Sequence, residues 1–108
     1  MKNEAIELLV ITEGQDVDGF PIRTEHSTDC FADVQSAKRS EFYQAASVGI
    51  NVQMVVVVNY DDYKSAYFEN IKPNRVRVDG ELFRILRTYR KKTSGEIELT
   101  LVEGERNG

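Results

Sequence analysis

The C-terminal half of the chain alternates apolar and polar residues with a period of two. Ile97, Leu99 and Leu101 are separated by polar residues, and this spacing is typical of a β-strand that has one face on a core and the other in water. A helix would need a period near 3.6 residues. The alternation therefore predicts a β-rich fold, with a closing strand at residues 97–102.

Turn residues divide this half of the chain into three antiparallel strands. Asp79-Gly80 separates a β-rich run at residues 75–78 from a second run at 82–89. An Asp-Gly pair between two such runs favours a tight hairpin, because the turn needs positive φ at both of its central residues. A second hairpin is predicted through residues 91–95.

Two earlier runs, at residues 6–12 and 51–59, carry apolar residues on both strand faces and therefore need cover on both sides. Together with the C-terminal strands they predict one mostly-β domain over residues 1–108. The expected fold is a small antiparallel β-barrel of about five or six strands, with a flexible tail at 103–108. The side chains predicted to face the interior are Leu8, Val10, Val52, Met54, Val56, Val58, Phe83, Ile85, Ile97, Leu99 and Leu101.

One short helix is predicted at residues 40–47, inserted between strands. Ser40 is a suitable N-cap, Glu41 lies in the first turn and Gly49 follows as a stop. The apolar stripe of this helix is too narrow to stabilise it in isolation. We therefore expect the segment 37–49 to order by packing on another surface.

Composition limits the classes of protein that the chain can belong to. Its 108 residues suit one domain with a single core. The apolar run at residues 54–58 is far too short to span a bilayer, and the N-terminus lacks a signal pattern, so we expect a cytoplasmic protein with no membrane partner. Cys30 is the single cysteine and cannot form an internal disulfide. The net charge of −4 disfavours a surface wrapped around nucleic acid.

One stretch has a partial calcium-binding pattern. Asp16, Asp18, Gly19 and Glu25 occupy the third, fifth, sixth and twelfth positions of an EF-hand loop. The first position is Gly14 instead of an aspartate, and no helix-like pattern flanks the loop. The sequence therefore favours a polar hairpin turn on Asp18-Gly19 between the strand at 6–12 and a following strand.

Nothing else in the sequence forms a catalytic or metal-binding set. His26 is the single histidine, so a catalytic triad or a histidine metal site has no partners, and we interpret it as an exposed loop residue. Cys30 has no Cys-x-x-Cys partner and is interpreted as a small buried residue. We predict no enzymatic activity, no catalytic residue, no metal and no cofactor.

Basic residues concentrate in the predicted C-terminal strands, and two interpretations of them stay open. With Phe83 and Tyr89 they could bind single-stranded nucleic acid on a small barrel. Glu81, Glu96 and Glu98 on the same strands instead favour ion pairs across the sheet or between subunits. The basic residues are Arg75, Arg77, Arg84, Arg87, Arg90, Lys91 and Lys92.

The order of these features resembles the head-to-tail adaptor, or head closure, proteins of tailed bacteriophages. The most specific match is at residues 31–45, where Phe-Ala-Asp-Val is followed by Arg-Ser-Glu-Phe-Tyr-Gln-Ala. Residues 55–60, 75–85 and 97–103 resemble later strands of the family, so the resemblance spans about residues 6–103. Phe31 stands where the family commonly has tryptophan.

The resemblance implies a structural protein of the virion or of a prophage. Members form a ring, typically of about twelve copies, beneath the portal. The ring closes the DNA channel, lets DNA pass without sequence-specific binding, and receives the tail. Portal or adaptor proteins and tail proteins would be the partners, and the protein would reside in the host cytoplasm before assembly. We expect the isolated acidic chain to be monomeric until a portal ring templates it.

The predicted helical segment is the expected contact with those partners. It carries Arg39, Glu41, Phe42 and Tyr43, and we predict that these residues face a partner or the channel. In the alternative interpretation, Phe42 and Ala45 plug an open end of the barrel.

Overall fold

The computed structural model describes residues 2–36 and 51–104. Within these ranges the chain forms six strands and one helix. The predicted helix at 40–47 lies outside the described residues, as do residues 105–108 of the predicted tail. The strands are β1 Glu4–Gln15, β2 Pro21–Ser36, β3 Val52–Asn59, β4 Arg75–Val78, β5 Glu81–Lys91 and β6 Glu96–Glu103, and the helix is α1 Tyr60–Ser65.

The six strands form one closed sheet. Its strand order is β1, β2, β3, β6, β5, β4, and β4 pairs again with β1 through residues 6–9. All neighbouring strands are antiparallel. The predicted mostly-β fold with five or six antiparallel strands is therefore confirmed.

The interior of the closed sheet is filled by one parity of each strand. Most of the predicted interior set is buried, and Met54 and Ile85 are partly buried against the same core. The register predicted from the alternation is therefore confirmed except at Val52. A β-bulge between Val52 and Met54 pairs Val52 with Val102, on the face opposite to Leu101. Burial of one large aliphatic side chain stabilises the fold by roughly 1.5–3 kcal/mol. Further members of this core are Ile6, Ala32, Val76 and Val78.

The opposite faces of β1 and β3 are also buried, as their apolar residues on both parities predicted. Leu9 and Ile11 are 0% and 6% exposed, and Val55 and Val57 are 6% and 3% exposed. These strands thus have cover on both faces.

Both C-terminal hairpins have the predicted turns. Asp79 and Gly80 have φ of 51° and 79° and connect the paired residues Val78 and Glu81, which is the geometry of a two-residue hairpin turn. In the second hairpin, Lys91 pairs with Glu96.

Helix α1 was not predicted. Tyr63 and Ala66 are 3% and 0% exposed and belong to the core, while the partly buried Tyr60 and Tyr67 pack against it. The backbone N–H of Tyr60 donates to the Gly95 carbonyl. The helix therefore covers the interior where β3 ends and β6 begins.

Asn74 joins strands that diverge beyond the closed part of the sheet. Its side-chain Nδ2 donates to the Ile11 carbonyl at 2.8 Å and its Oδ1 accepts from the Ile11 N–H at 3.0 Å. Its backbone N–H donates to the Leu9 carbonyl, and its carbonyl accepts from the Ile85 N–H. Asn74 thus connects β1 to β5 by hydrogen bonds just before β4 begins.

Candidate functional site

The first two strands continue past the closed sheet as a two-stranded arm. β4 pairs with β1 only as far as Leu9, whereas β2 pairs with β1 to the end, at Gln15 and Pro21. We call residues 12–24 the arm; its four paired residues per strand span about 13 Å of ladder. Every residue from 13 to 25 except Asp16 is exposed. The arm therefore offers nearly all of its side chains for contact.

The tip of the arm is a turn organised by Asp16. Its Oδ1 accepts from the N–H groups of Asp18 and Phe20 at 2.9 and 2.8 Å, and its backbone carbonyl accepts from the Gly19 N–H. Gly19 has a φ of 83°, a conformation that favours glycine. These bonds hold the two sides of the tip in one geometry.

This turn confirms the hairpin interpretation of the partial calcium pattern. The loop lies between two strands, whereas an EF-hand loop joins two helices. Glu25 lies on β2, with an Arg23 Nε to Glu25 Oε1 distance of 3.3 Å. Among the described residues no group of three or more acidic, histidine or cysteine side chains is placed to hold a metal ion.

Apolar side chains at the arm tip lie in solvent. Val17 is 101% exposed, Phe20 66% and Ile22 44%. Exposed apolar side chains gathered at the tip of a projecting hairpin are candidates for a binding surface, because contact with water is unfavourable for them. We call Val17, Phe20 and Ile22 the tip cluster.

A second exposed aromatic residue lies at the end of the β1–β2 ladder opposite to the arm, where Phe31 pairs with Ala5. Phe31, 61% exposed, borders a depression of about 510 Å³ together with Ala5 and Gly80. We call this the Phe31 depression. Its charged lining residues are Glu7, Asp29, Arg77 and Asp79. One base against three acids makes the depression acidic, and Arg77 Nη1 is already bonded to Glu7 at 2.6 Å.

The structure gives the members of the predicted basic cluster different contacts. Lys91 pairs with Glu98 at 3.2 Å, so the predicted cross-strand pairing is confirmed for this residue. Arg77 pairs with Glu7 on β1, which was not among the predicted partners. Arg90 lies over the ring of Tyr60 at 3.7 Å. Arg75 donates to the Asn74 carbonyl.

The outer side of β5 and the loop after it carry Arg84, Arg87 and Lys92. The Nε of Arg84 donates to the Glu103 carbonyl at 3.1 Å. The β5 face consists of Arg84, Leu86, Arg87, Tyr89 and Lys92. Three of its members are exposed and lie on the outer face of β5 by register, namely Arg84, Arg87 and Tyr89, and Lys92 follows in the loop. Leu86 is the extra residue of a bulge between residues 85 and 87. Tyr89 is 64% and Leu86 37% exposed. Residues 89–93 line an open depression of about 500 Å³.

The predicted environments of His26 and Cys30 can be compared with those in the structure. His26 lies in β2, is partly buried, and stacks on Phe68 with ring centroids 4.4 Å apart, so its interpretation as an exposed loop residue is wrong. Cys30 is partly buried against the core. Burial, reinforced by the charges of Asp62 and Asp29, raises the pKa of its thiol to about 11, which is the opposite of an activated nucleophile.

Other site residues fall in two groups. Arg39, Glu41, Phe42 and Tyr43 lie outside the described residues, so their contact with a partner or the channel stays a prediction. The sequence analysis missed the tip cluster, because an apolar residue in a sequence usually indicates core. Their position in the sequence could have indicated exposure, because Val17 and Phe20 flank the turn residues Asp18-Gly19.

Comparisons with known proteins bear on the fold. No family model and no curated protein matches the chain. The structure is similar to the solution structure of protein SF1141 from Shigella flexneri 2a, with a TM-score of 0.66, 15% sequence identity, and coverage of 95% of this chain and 93% of that chain. At this identity the likeness extends to the fold. No helix within residues 2–36 and 51–104 has the length and apolar character needed to cross a bilayer.

Proposed function

We propose that this chain is a structural protein of a tailed bacteriophage or prophage, a head-to-tail connector of the head closure type. In this role copies of the chain form a ring beneath the portal, close the DNA channel and provide the surface on which the tail docks. The chain acts through protein contacts and not through catalysis. The sequence resemblance at residues 31–45 supplies the family.

The observation that carries the proposal is the exposed tip cluster on the arm. Val17 and Phe20 are 101% and 66% exposed although the closed sheet has a complete core. Exposed apolar side chains on a projecting hairpin are costly for solubility unless a partner covers them. A connector, whose copies contact each other and the proteins above and below, has such partners.

Sedimentation with portal rings tests the proposal. Portal protein from the same genome is assembled into rings, mixed with the full chain and separated on a gradient. We expect the chain to move with the rings and to be monomeric without them. The variant Phe20→Asp tests the tip cluster, and Thr88→Ser serves as a mild control on β5. A chain that stays at the top of the gradient with every portal preparation would contradict the proposal.

The same assay tests the segment 37–49. The double variant Arg39→Ala, Glu41→Ala removes both charges. We expect this variant to bind portal rings less well, or to give fewer particles that retain DNA and join tails. A helix that only plugs the barrel would tolerate both changes with small effects on stability. Normal particle yield from a folded variant would refute the partner-facing role of this segment.

A second candidate is binding of single-stranded nucleic acid. The specific observation is Tyr89, 64% exposed beside the exposed Arg87 and Lys92, because bases stack on such aromatic side chains and phosphates pair with such cations. Titration with oligothymidylate at two salt concentrations separates the candidates. A binder that uses several cations loses affinity steeply as salt rises, whereas the connector is expected to show no binding.

A further inference from the structure

The tip cluster needs a partner surface, and its charges restrict which surface can serve. The arm carries Glu13, Asp16 and Asp18 against one base, Arg23, and Arg23 lies within ion-pair distance of Glu25. The tip is therefore apolar with an acidic surround. A complementary surface would be apolar with a basic surround, because matched charges steer association and like charges suppress it.

Within residues 2–36 and 51–104, two surfaces beyond the arm expose aromatic side chains. The Phe31 depression is acidic, with Glu7, Asp29 and Asp79 against Arg77. An acidic tip would be repelled there. The β5 face combines Leu86 and Tyr89 with the exposed cations Arg84, Arg87 and Lys92. Charge thus selects the β5 face.

We propose that the tip cluster of one copy docks on the β5 face of the neighbouring copy. The tip is exposed in the single chain, so the face that covers it belongs to a second molecule. The two surfaces differ in sequence and charge, which makes the contact heterologous. Repetition of a heterologous contact generates a ring if the rotation closes. The inference rests on the proposed function, since a closed ring gives every copy both a tip and a face to bind.

The contact is weak between free copies. Three side chains of the tip cluster bury far less than the ~800 Å² per partner of a standard interface. Free chains therefore remain monomeric at low concentration. A portal ring that holds neighbours side by side raises their effective concentration and completes the contacts around the ring.

Complementary variants test the contact without any portal protein. Phe20→Asp disables the tip and leaves the face intact; Tyr89→Asp disables the face and leaves the tip intact. Each substitution is at an exposed side chain, so we expect the fold to be retained. Isotope-labelled Phe20→Asp protein is titrated with unlabelled Tyr89→Asp protein and amide shifts are followed. We expect concentration-dependent shifts at residues 84–92, and at residues 16–22 when the labels are exchanged.

Further measurements sharpen the titration. Unlabelled Phe20→Asp added to labelled Phe20→Asp supplies no tip and should give no shifts. Phe31→Ser, which changes the second exposed aromatic, should leave binding intact. Unlabelled wild-type chain is an alternative tip donor if Tyr89→Asp does not fold. Raising the salt from about 0.1 M to about 1 M shortens the Debye length from about 10 Å to about 3 Å and should weaken the association at least about threefold.

Several outcomes would overturn the inference. Shifts around Phe31 instead of β5 would assign the tip to the acidic depression. Absence of shifts at millimolar concentration would refute a contact between copies. Shifts at β5 with oligothymidylate but not with the tip donor would identify the face as a nucleic-acid surface. If the titration fails while the chain still sediments with portal rings, the inter-copy contact is refuted and the connector proposal stands.

Discussion

β1 and β2 pass through two environments along their length. Near Leu8, which is 0% exposed, they belong to a closed sheet with a filled core. Towards Val17, which is 101% exposed, they form an arm whose side chains lie in solvent. The ladder between the strands is continuous from one region to the other. Strand pairing alone therefore does not set stability: burial stabilises the body, while the arm depends on its own turn and on Asn74 at its base.

The largest expected effect separates a core position from an arm position. Leu99→Ala should lower the free energy of unfolding by about 2–5 kcal/mol, because it leaves a cavity in the closed sheet. Ile22→Ala removes a similar side chain from the arm, where it is 44% exposed, and should cost less than about 0.5 kcal/mol. Urea denaturation followed by circular dichroism measures both. Equal costs would show that the arm is packed in solution.

Thiol chemistry gives the second comparison. Burial raises the pKa of Cys30 from 9.0 to about 11, so below both values the folded protein holds about a hundredfold less thiolate than the unfolded chain. Alkylation at about pH 8 should be slower by about that factor. Because the folded pKa is the higher one, the folded-state rate should keep rising between the two values while the unfolded-state rate levels off.

An arm thiol is the matched control for Cys30. In the double variant Thr24→Cys, Cys30→Ser the thiol lies at an exposed position of the arm and should react at the rate of the unfolded chain. Iodoacetamide modification followed by mass spectrometry measures the rates. Fast alkylation of folded Cys30 would mean that the middle of β2 opens readily, and that the boundary between body and arm lies closer to the core.

The boundary itself is tested at Asn74. Asn74→Ala removes both side-chain bonds to Ile11 and should cost about 1–3 kcal/mol, because the N–H and carbonyl of a buried residue lose their partners. Asn74→Asp keeps an acceptor for the N–H but places a carboxylate against the carbonyl, and should be no better. Amide exchange at Ile11 should accelerate in both variants. Unchanged stability would show that water replaces the amide at no cost.

The body could be predicted from the sequence to a large extent, because its signals are local. Alternation placed Leu99 and Leu101 inward, and Asp79-Gly80 specified a turn whose dihedrals the structure shows. Helix α1 was missed because six residues carry too little pattern to indicate a helix. The bonds between Asn74 and Ile11 join residues 63 positions apart, and no local pattern predicts such a contact.

The candidate site was harder to predict than the core. Residues 13–15 lack apolar alternation, so the strand at 6–12 ended too early in the prediction and the arm was not anticipated. The seven basic residues gave one cluster in the sequence, yet a strand alternates its side chains between two faces. In the folded sheet Arg77 and Lys91 form ion pairs with Glu7 and Glu98. The β5 face became visible only with the strands in register.

The smallest expected effect concerns the two glycine turns. Gly19 and Gly80 have φ of 83° and 79°, and a Cβ at either position would meet open space. Alanine should therefore cost about 1 kcal/mol at each site from backbone strain alone. At Gly80 the cost should appear in global unfolding, because this turn joins β4 to β5 within the closed sheet. At Gly19 it should appear as faster amide exchange at Gln15, with little change in global stability, because the arm opens separately. Asparagine, which tolerates this conformation better, should soften both effects. An equal loss of global stability in the two alanine variants would show that arm and body unfold as one unit.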